Sequence, residues 1–407
     1  MDLLLMTDSQ ISQSQTDITV FAKTTFRNNQ ISFGIKRSDR RAHLYLIGKT
    51  GTGKSTLLET LMTSDLRKGD GFALLDPHGD LVKKLYKKAI ALRQPDLLYF
   101  DASDPHQPFG FNPLANVSFD KRPLAASGIL QVFKHLWQDS WGPRLEHILR
   151  NCLLALLDYP DATFADILTL LSDKAFRLMV VGHLTNSQVK DFWTKEFEKY
   201  PERLRAEAIS PIQNKVGAFL SNPILKKILT EPELPLKLRR IMDEGKVLLV
   251  NLAKGSLGED TANLLGSLLI SRFDLAALSR ANVPEEIRKP FYLYVDEFHN
   301  FTTQSLAGML SELRKYGLSM TLANQFLTQI EPQVRDAILG NAGTIIVFRI
   351  GAMDAEVLAQ EFAPEFSITD FTNLPNYHIY LKLMIDGKIS KPFSAVTLNP
   401  DSTSDSA

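Results

Sequence analysis

His43-Leu44-Tyr45-Leu46-Ile47 is an apolar run that passes directly into Gly48-Lys49-Thr50-Gly51-Thr52-Gly53-Lys54-Ser55-Thr56. Gly48 to Ser55 fits G-x-x-x-x-G-K-[ST], a pattern that composition alone would produce on the order of 0.01 times in a chain of this length. Downstream, Leu57, Leu58, Leu61 and Met62 share one face at helical spacing, up to Gly69. The order is therefore strand, glycine-rich loop, helix. Glycines let backbone N–H groups converge on phosphate oxygens, and the helix N-terminus adds favourable potential. Lys54 offers a point charge to the β and γ phosphates, and the Ser55 hydroxyl is a ligand for Mg2+. A glycine-rich turn holding no ligand is the competing reading, and the strand and helix on either side weigh against it. The expected cofactors are ATP and Mg2+, held by Gly48, Lys49, Thr50, Gly51, Thr52, Gly53, Lys54, Ser55 and Thr56.

Outward from this loop, further apolar runs read as strands buried on both faces: Phe72–Leu75, Leu97–Phe100, Val247–Asn251, Phe291–Val295, Leu318–Leu322, Thr344–Phe348 and Tyr377–Met384. Several alternate with helical patterns, which points to parallel strands with crossover helices and an α/β class. Between about 115 and 243 the strand signal stops. Leu145, Ile148, Leu149, Cys152, Leu153, Leu156 and Leu157, then Val189, Phe192, Trp193 and Phe197, have helical periodicity. The expected organisation is a tail and small β-hairpin cap over 1–36, turning at Asn28-Asn29, and an ATPase core over 37–115 and 244–392. An all-α insertion fills 116–243 and a flexible tail covers 393–407.

The chain has 407 residues, with 46 Lys plus Arg against 46 Asp plus Glu, a formal net charge of zero. That balance excludes a strongly basic coat for nucleic acid. At roughly 150 residues per domain the length suggests about two to three domains. The single cysteine, Cys152, lies in an apolar run and reads as a buried structural thiol rather than a reactive one. Met1-Asp2-Leu3-Leu4-Leu5-Met6 is too short for a signal peptide, and no stretch approaches the roughly 20 apolar residues of a membrane span. A reducing, cytoplasmic location is the expectation. Lys226-Lys227 and Arg239-Arg240 read as solvated faces.

A second site element is Phe291-Tyr292-Leu293-Tyr294-Val295-Asp296-Glu297, a strand delivering two carboxylates at its end. Asp296 would join the Mg2+ shell through water, and Glu297 can polarise an attacking water. Two solvated acids at a strand end are the alternative. The next strand ends in Ala323-Asn324-Gln325. If it lies between the strands carrying Lys54 and Asp296, Gln325 faces the γ phosphate; otherwise it is an ordinary loop amide. Arg314, on the helix with Leu306, Leu310 and Leu313, reads either as a surface arginine or as a cation supplied to a neighbouring subunit.

Taken together, these strings resemble the HerA–FtsK superfamily of P-loop ATPases, and within it the coupling-protein (TraD/TraG-like) motors of conjugation and type IV secretion. Leu75-Asp76-Pro77-His78-Gly79-Asp80-Leu81 and Leu313-Arg314-Lys315-Tyr316-Gly317-Leu318 contribute to the likeness, which spans roughly residues 32–385. The resemblance implies a RecA-like core with an inserted all-α domain, and a homohexameric ring that pumps DNA at the expense of ATP. It also implies partner proteins that are membrane-bound or of relaxase type. By matching motif positions, Arg314 takes the role of a trans-acting arginine finger and Gln325 that of the sensor glutamine, beside Lys54, Ser55, Asp296 and Glu297. The turn Asp76–Asp80 reads as shaping the cleft. Arg144, in Trp141-Gly142-Pro143-Arg144, and Arg349 read either as phosphate contacts across a subunit boundary or as salt-bridge partners. The resemblance is incomplete in one respect: coupling proteins usually begin with transmembrane helices, and this sequence contains no such run.

Three functions compete. A DNA-translocating ATPase would grip phosphates with pore loops, for which Lys254 and Gly255 are candidates. A P-loop phosphotransferase would not need Glu297 beside Asp296. A nucleotide-gated scaffold protein with slow turnover would not need intact carboxylates.

Overall fold

The computed structural model describes residues 17–25 and 30–400, so Asn28-Asn29 and the extreme termini lie outside the described residues. The chain divides into two compact units. The first comprises residues up to 99, 239–251 and 277 onward, and the second comprises 100–238 and 252–276.

The strands in chain order are β1 (Ile18–Thr24), β2 (Ser32–Lys36), β3 (Leu44–Ile47), β4 (Gly71–Asp76), β5 (Leu97–Asp101), β6 (Phe109–Gly110), β7 (Leu234–Pro235), β8 (Val247–Asn251), β9 (Phe291–Val295), β10 (Leu318–Asn324), β11 (Thr344–Val347), β12 (His378–Lys382), β13 (Met384–Ile385), β14 (Lys388–Ile389) and β15 (Phe393–Thr397). Eleven of them form one sheet in the order β2-β1-β15-β12-β11-β3-β10-β9-β4-β8-β5. From β11 through β8 every pairing is parallel. Every residue of β3, β4, β8, β9, β10 and β11 is buried, as expected where crossover helices cover both faces. One such helix, Lys54–Lys68, turns Leu57, Leu58, Leu61 and Met62 into the core and ends at Gly69.

The expected N-terminal β strands are present as the β1–β2 pair, and β1 also pairs antiparallel with β15 and so extends the main sheet. One expectation about the ends is corrected. Phe393–Thr397 is not tail but strand β15, held between β1 and β12. Five residues running into a polar terminus carry too little periodicity to announce a strand; the backbone partners supply it.

A buried ion pair braces this unit. Arg40 and Asp65 are fully buried, and the guanidinium donates to both carboxylate oxygens, at 2.5 and 3.0 Å. The Tyr294 hydroxyl bonds both partners at 2.5 Å, and the guanidinium lies 3.7 Å from the centroid of the Tyr292 ring. Removing either charge would strand the other without solvent.

The second unit is mainly helical, with the short parallel pair β6–β7. Its helices include Arg122–Leu136, Pro143–Asp158, Lys174–His183, Glu202–Leu220 and Pro223–Thr230. Both apolar stripes read from the sequence are buried in it. Cys152 is fully buried with its Sγ 3.9 Å from the Ile167 carbonyl, and burial pushes its thiol pKa up. The unit begins earlier than the expected insertion, at residue 100, and includes 252–276. Among the described residues no helix is long and apolar enough to cross a membrane.

Candidate functional site

The glycine-rich loop leaves the buried strand β3 and ends at Gly53, the residue that caps the helix Lys54–Lys68. Two of its glycines are dictated by their surroundings. A Cβ on Gly48 would lie 2.5 Å from the Phe348 Cβ. Gly53 has φ +123° and sits against the rings of Phe348 and Tyr377, where any side chain would be strained. The loop is further tied down by Thr52, whose hydroxyl donates to the Lys49 carbonyl at 2.7 Å, and by Lys49 N–H donating to the Arg349 carbonyl at 2.8 Å. Lys49, Thr50, Gly51 and Ser55 remain exposed on its open side.

Lys54 is 6% exposed and donates to the carbonyls of Gly48 and Lys49 at 2.5 and 3.3 Å. Burial lowers its pKa, while Glu297 and Asp296 oppose that shift. Asp296, at the end of β9, is pushed up to about 7 by burial and by the charges of Asp76 and Glu297, against the pull of Lys54. A buried cluster of acids faced by one lysine is short of positive charge. Among the described residues no group of three or more His, Cys, Asp or Glu could hold a metal by itself. The donor set of a hydroxyl and a carboxylate therefore fits a magnesium ion that arrives with phosphate and keeps water ligands.

Glu297 adopts left-handed backbone (φ +46°). Its N–H donates to Asp296 Oδ1 at 3.1 Å. Its Oε1 accepts a 2.7 Å hydrogen bond from Gln325 Nε2, and its Oε2 is buried with no hydrogen-bond partner. His299 Nδ1 lies 3.5 Å from that oxygen. The condition set on Gln325 is met: β10 lies between β3 and β9. Gln325 thereby bridges two motifs, donating to Glu297 and accepting from the Thr50 hydroxyl at 3.0 Å. The part played by Thr50 went unrecognised in the sequence; a hydroxyl at an open position of the loop was its only signal.

Lys54, Asp296, Glu297, Gln325 and the loop are thus one cluster at the carboxyl ends of β3, β9 and β10. Arg314 is not part of it. It is exposed, four residues before the amino end of β10, and its guanidinium makes no hydrogen bond or ion pair among the described residues. Asp76 accepts the N–H groups of His78, Leu81 and Val82 at 2.9, 2.9 and 3.1 Å, so its carboxylate holds the turn into the helix Asp80–Arg93. Arg349 donates to the Leu374 carbonyl at 3.3 Å and to Asn376 Oδ1 at 2.9 Å, neither a phosphate nor an acid. Arg144 is exposed on the second unit, where Lys254 pairs with Glu259 at 2.6 Å.

Comparisons with known proteins give the family and the fold. Residues 290–371 match the family described as the TraM recognition site of TraD and TraG. Among curated proteins nothing matches. Solved structures with the same fold include the plasmid coupling protein TrwB in complex with ADP and Mg2+, at 19% identity and a TM-score of 0.65 over 90% of this chain and 87% of that one. An unbound form of the bacterial conjugative coupling protein TrwB has 17% identity and a TM-score of 0.63 over 93% and 89% of the two chains. VirB4 of Thermoanaerobacter pseudethanolicus has 14% identity and a TM-score of 0.58 over 93% and 95%. The first unit therefore has the RecA-like P-loop fold. Residues 26–273, more than half of the chain, match the helicase HerA central domain, and the chain belongs to that family.

Proposed function

We propose that this chain is the ATPase subunit of a homohexameric ring that translocates DNA, in conjugative transfer, type IV secretion or HerA-like DNA processing, and that it works in the cytoplasm. The observation that carries the proposal is Glu297, whose buried Oε2 accepts no hydrogen bond and has His299 Nδ1 at 3.5 Å, beside Asp296 and linked through Gln325 to Thr50 of the phosphate loop. A buried carboxylate oxygen that accepts no hydrogen bond is costly, and a water in line with the γ phosphate would supply one. A carboxylate here could also orient the hydroxyl of another acceptor, so the test below separates water from acceptor.

In this reading Lys54 leaves its loop carbonyls to meet the β and γ phosphates, and Ser55 and Asp296 hold Mg2+. The metal supplies charge neutralisation across the phosphate oxygens. Glu297 orients the water. Gln325 senses the γ phosphate from Thr50 and passes its presence to Glu297. Arg314 meets the transition-state charge in the next subunit. Solved structures of the same fold are of a bacterial conjugative coupling protein, one of them in complex with ADP and Mg2+, and this supports the assignment. DNA is gripped at few positions per subunit, which a chain of zero net charge allows because symmetry multiplies each contact. Membrane-bound or relaxase-type proteins would recruit the ring.

The test is the ATPase rate with single- and double-stranded DNA, with particle size measured in the same samples. Stimulation by DNA in a hexamer-sized particle is expected. Acceptor-dependent phosphate transfer without stimulation would replace the motor with a phosphotransferase, and nucleotide binding with neither would leave a scaffold protein.

A further inference from the structure

The strand order fixes which way a nucleotide must lie on the loop. β3 leads into the phosphate loop, with β10 on one side of it and β11 on the other. The groups that would act on the γ phosphate, Glu297 and Gln325, are on the β10 side. A nucleotide whose γ phosphate meets those groups would extend its opposite end, the base, toward the β11–β12 side. There the chain places Tyr377, a large aromatic residue 49% exposed, directly before β12.

Tyr377 is held in a way that packing does not explain. It has left-handed backbone (φ +66°), uncommon for a residue with a bulky side chain. Its N–H donates to the Thr52 carbonyl of the phosphate loop at 2.7 Å. Its carbonyl accepts from the N–H and the hydroxyl of Thr397, at 2.9 and 3.2 Å. The preceding residues are braced by Arg349, bonded to Leu374 and Asn376. The ring rests against Gly53, where its Cδ1 is 3.0 Å from the place a Cβ would occupy. Among the described residues it stacks on no other ring, and its hydroxyl makes no hydrogen bond. Strained backbone held in place by its surroundings is characteristic of functional positions.

We infer that Tyr377 is the base platform of the nucleotide site, stacking its exposed face on the nucleobase, with a purine covering it best. The inference rests on the nucleotide reading above and adds to it the residue that recognises the base. It also gives a purpose to the late motif, in which Arg349 braces the segment that presents the ring.

The test is calorimetric binding of Mg2+-ATP and of Mg2+-tripolyphosphate, which has the phosphates but no base, to the wild type, Tyr377→Ala and Tyr377→Phe. Tyr377→Ala should weaken ATP roughly tenfold or more, the usual size of a lost base–aromatic stack. Tripolyphosphate binding should stay within about twofold, because the backbone bond from Tyr377 N–H to the Thr52 carbonyl and the loop's own N–H groups are kept. Tyr377→Phe should match the wild type for both ligands. Unchanged ATP affinity in Tyr377→Ala would overturn the platform. Equal weakening of both ligands would also overturn it, by making the ring a prop for the loop. A wild type that binds neither ligand would instead refute the nucleotide reading, and the platform with it.

Discussion

In rings assembled from equal amounts of Arg314→Ala and Glu297→Gln subunits, about one site in four should hydrolyse ATP, given closed cyclic assembly. The figure follows from where the two residues stand. Glu297 is beside Lys54 and the phosphate loop, at the carboxyl ends of the strands. Arg314 precedes the amino end of β10, a strand of seven residues. At about 3.3 Å per residue that strand separates them by about 20 Å, well beyond the reach of an arginine side chain. Its neighbour His43 belongs to the same far edge: it is buried at the start of β3, bonded to the Leu310 carbonyl and accepting from Met320 N–H. In the proposed ring a working site would therefore combine Glu297 of one subunit with Arg314 of the next. In the mixture about half the subunits have the glutamate and about half the following neighbours have the arginine, so about a quarter of independent sites have both. Alone, Arg314→Ala should lose about 10³- to 10⁵-fold in turnover, and Glu297→Gln about 10²- to 10⁴-fold. The assay is steady-state phosphate release from rings purified sequentially on two different tags. Zero recovery in confirmed mixed rings, or an Arg314→Ala protein with normal turnover, would refute the placement of the arginine in trans.

Binding and turnover should separate within the cluster. Lys54→Ala should weaken Mg2+-ATP binding roughly 10- to 100-fold by removing a charged donor, whereas Glu297→Gln keeps the volume and the acceptor for Gln325 and should bind normally. Equal loss of affinity in both, measured by calorimetry, would contradict the division of roles. A third prediction concerns pH. Burial lowers the His43 pKa from 6.5 to about 4, with the Leu310 hydrogen bond opposing and Arg314 adding to the shift. Since the folded value is below the unfolded one, the unfolded chain takes up the extra proton between those values, and stability falls as pH drops through that window. From about pH 7.5 to 4 the wild type should lose about 3 kcal/mol more than His43→Gln in urea unfolding. Parallel pH profiles would show that His43 is not held neutral by the fold.

The residues themselves determined what is contiguous in the chain: the loop Gly48–Ser55 between strand and helix, the acids Asp296 and Glu297 at a strand end, the apolar runs of the parallel sheet and the helical stripes around Cys152. Each is legible because its chemistry or its period is complete within a few turns or one strand. Tertiary structure alone decided how these pieces meet. Gln325 was equally an idle loop amide until β10 fell between β3 and β9 and brought it to Thr50, 275 positions away in the chain. Arg314 could have belonged to its own subunit's site until the same strand put it at the far edge. β15, the Arg40–Asp65–Tyr294 brace and the exposed ring of Tyr377 left no local mark, because strand order and burial are set by which crossover packs against which face, a sum over contacts distant in sequence that no window of residues contains.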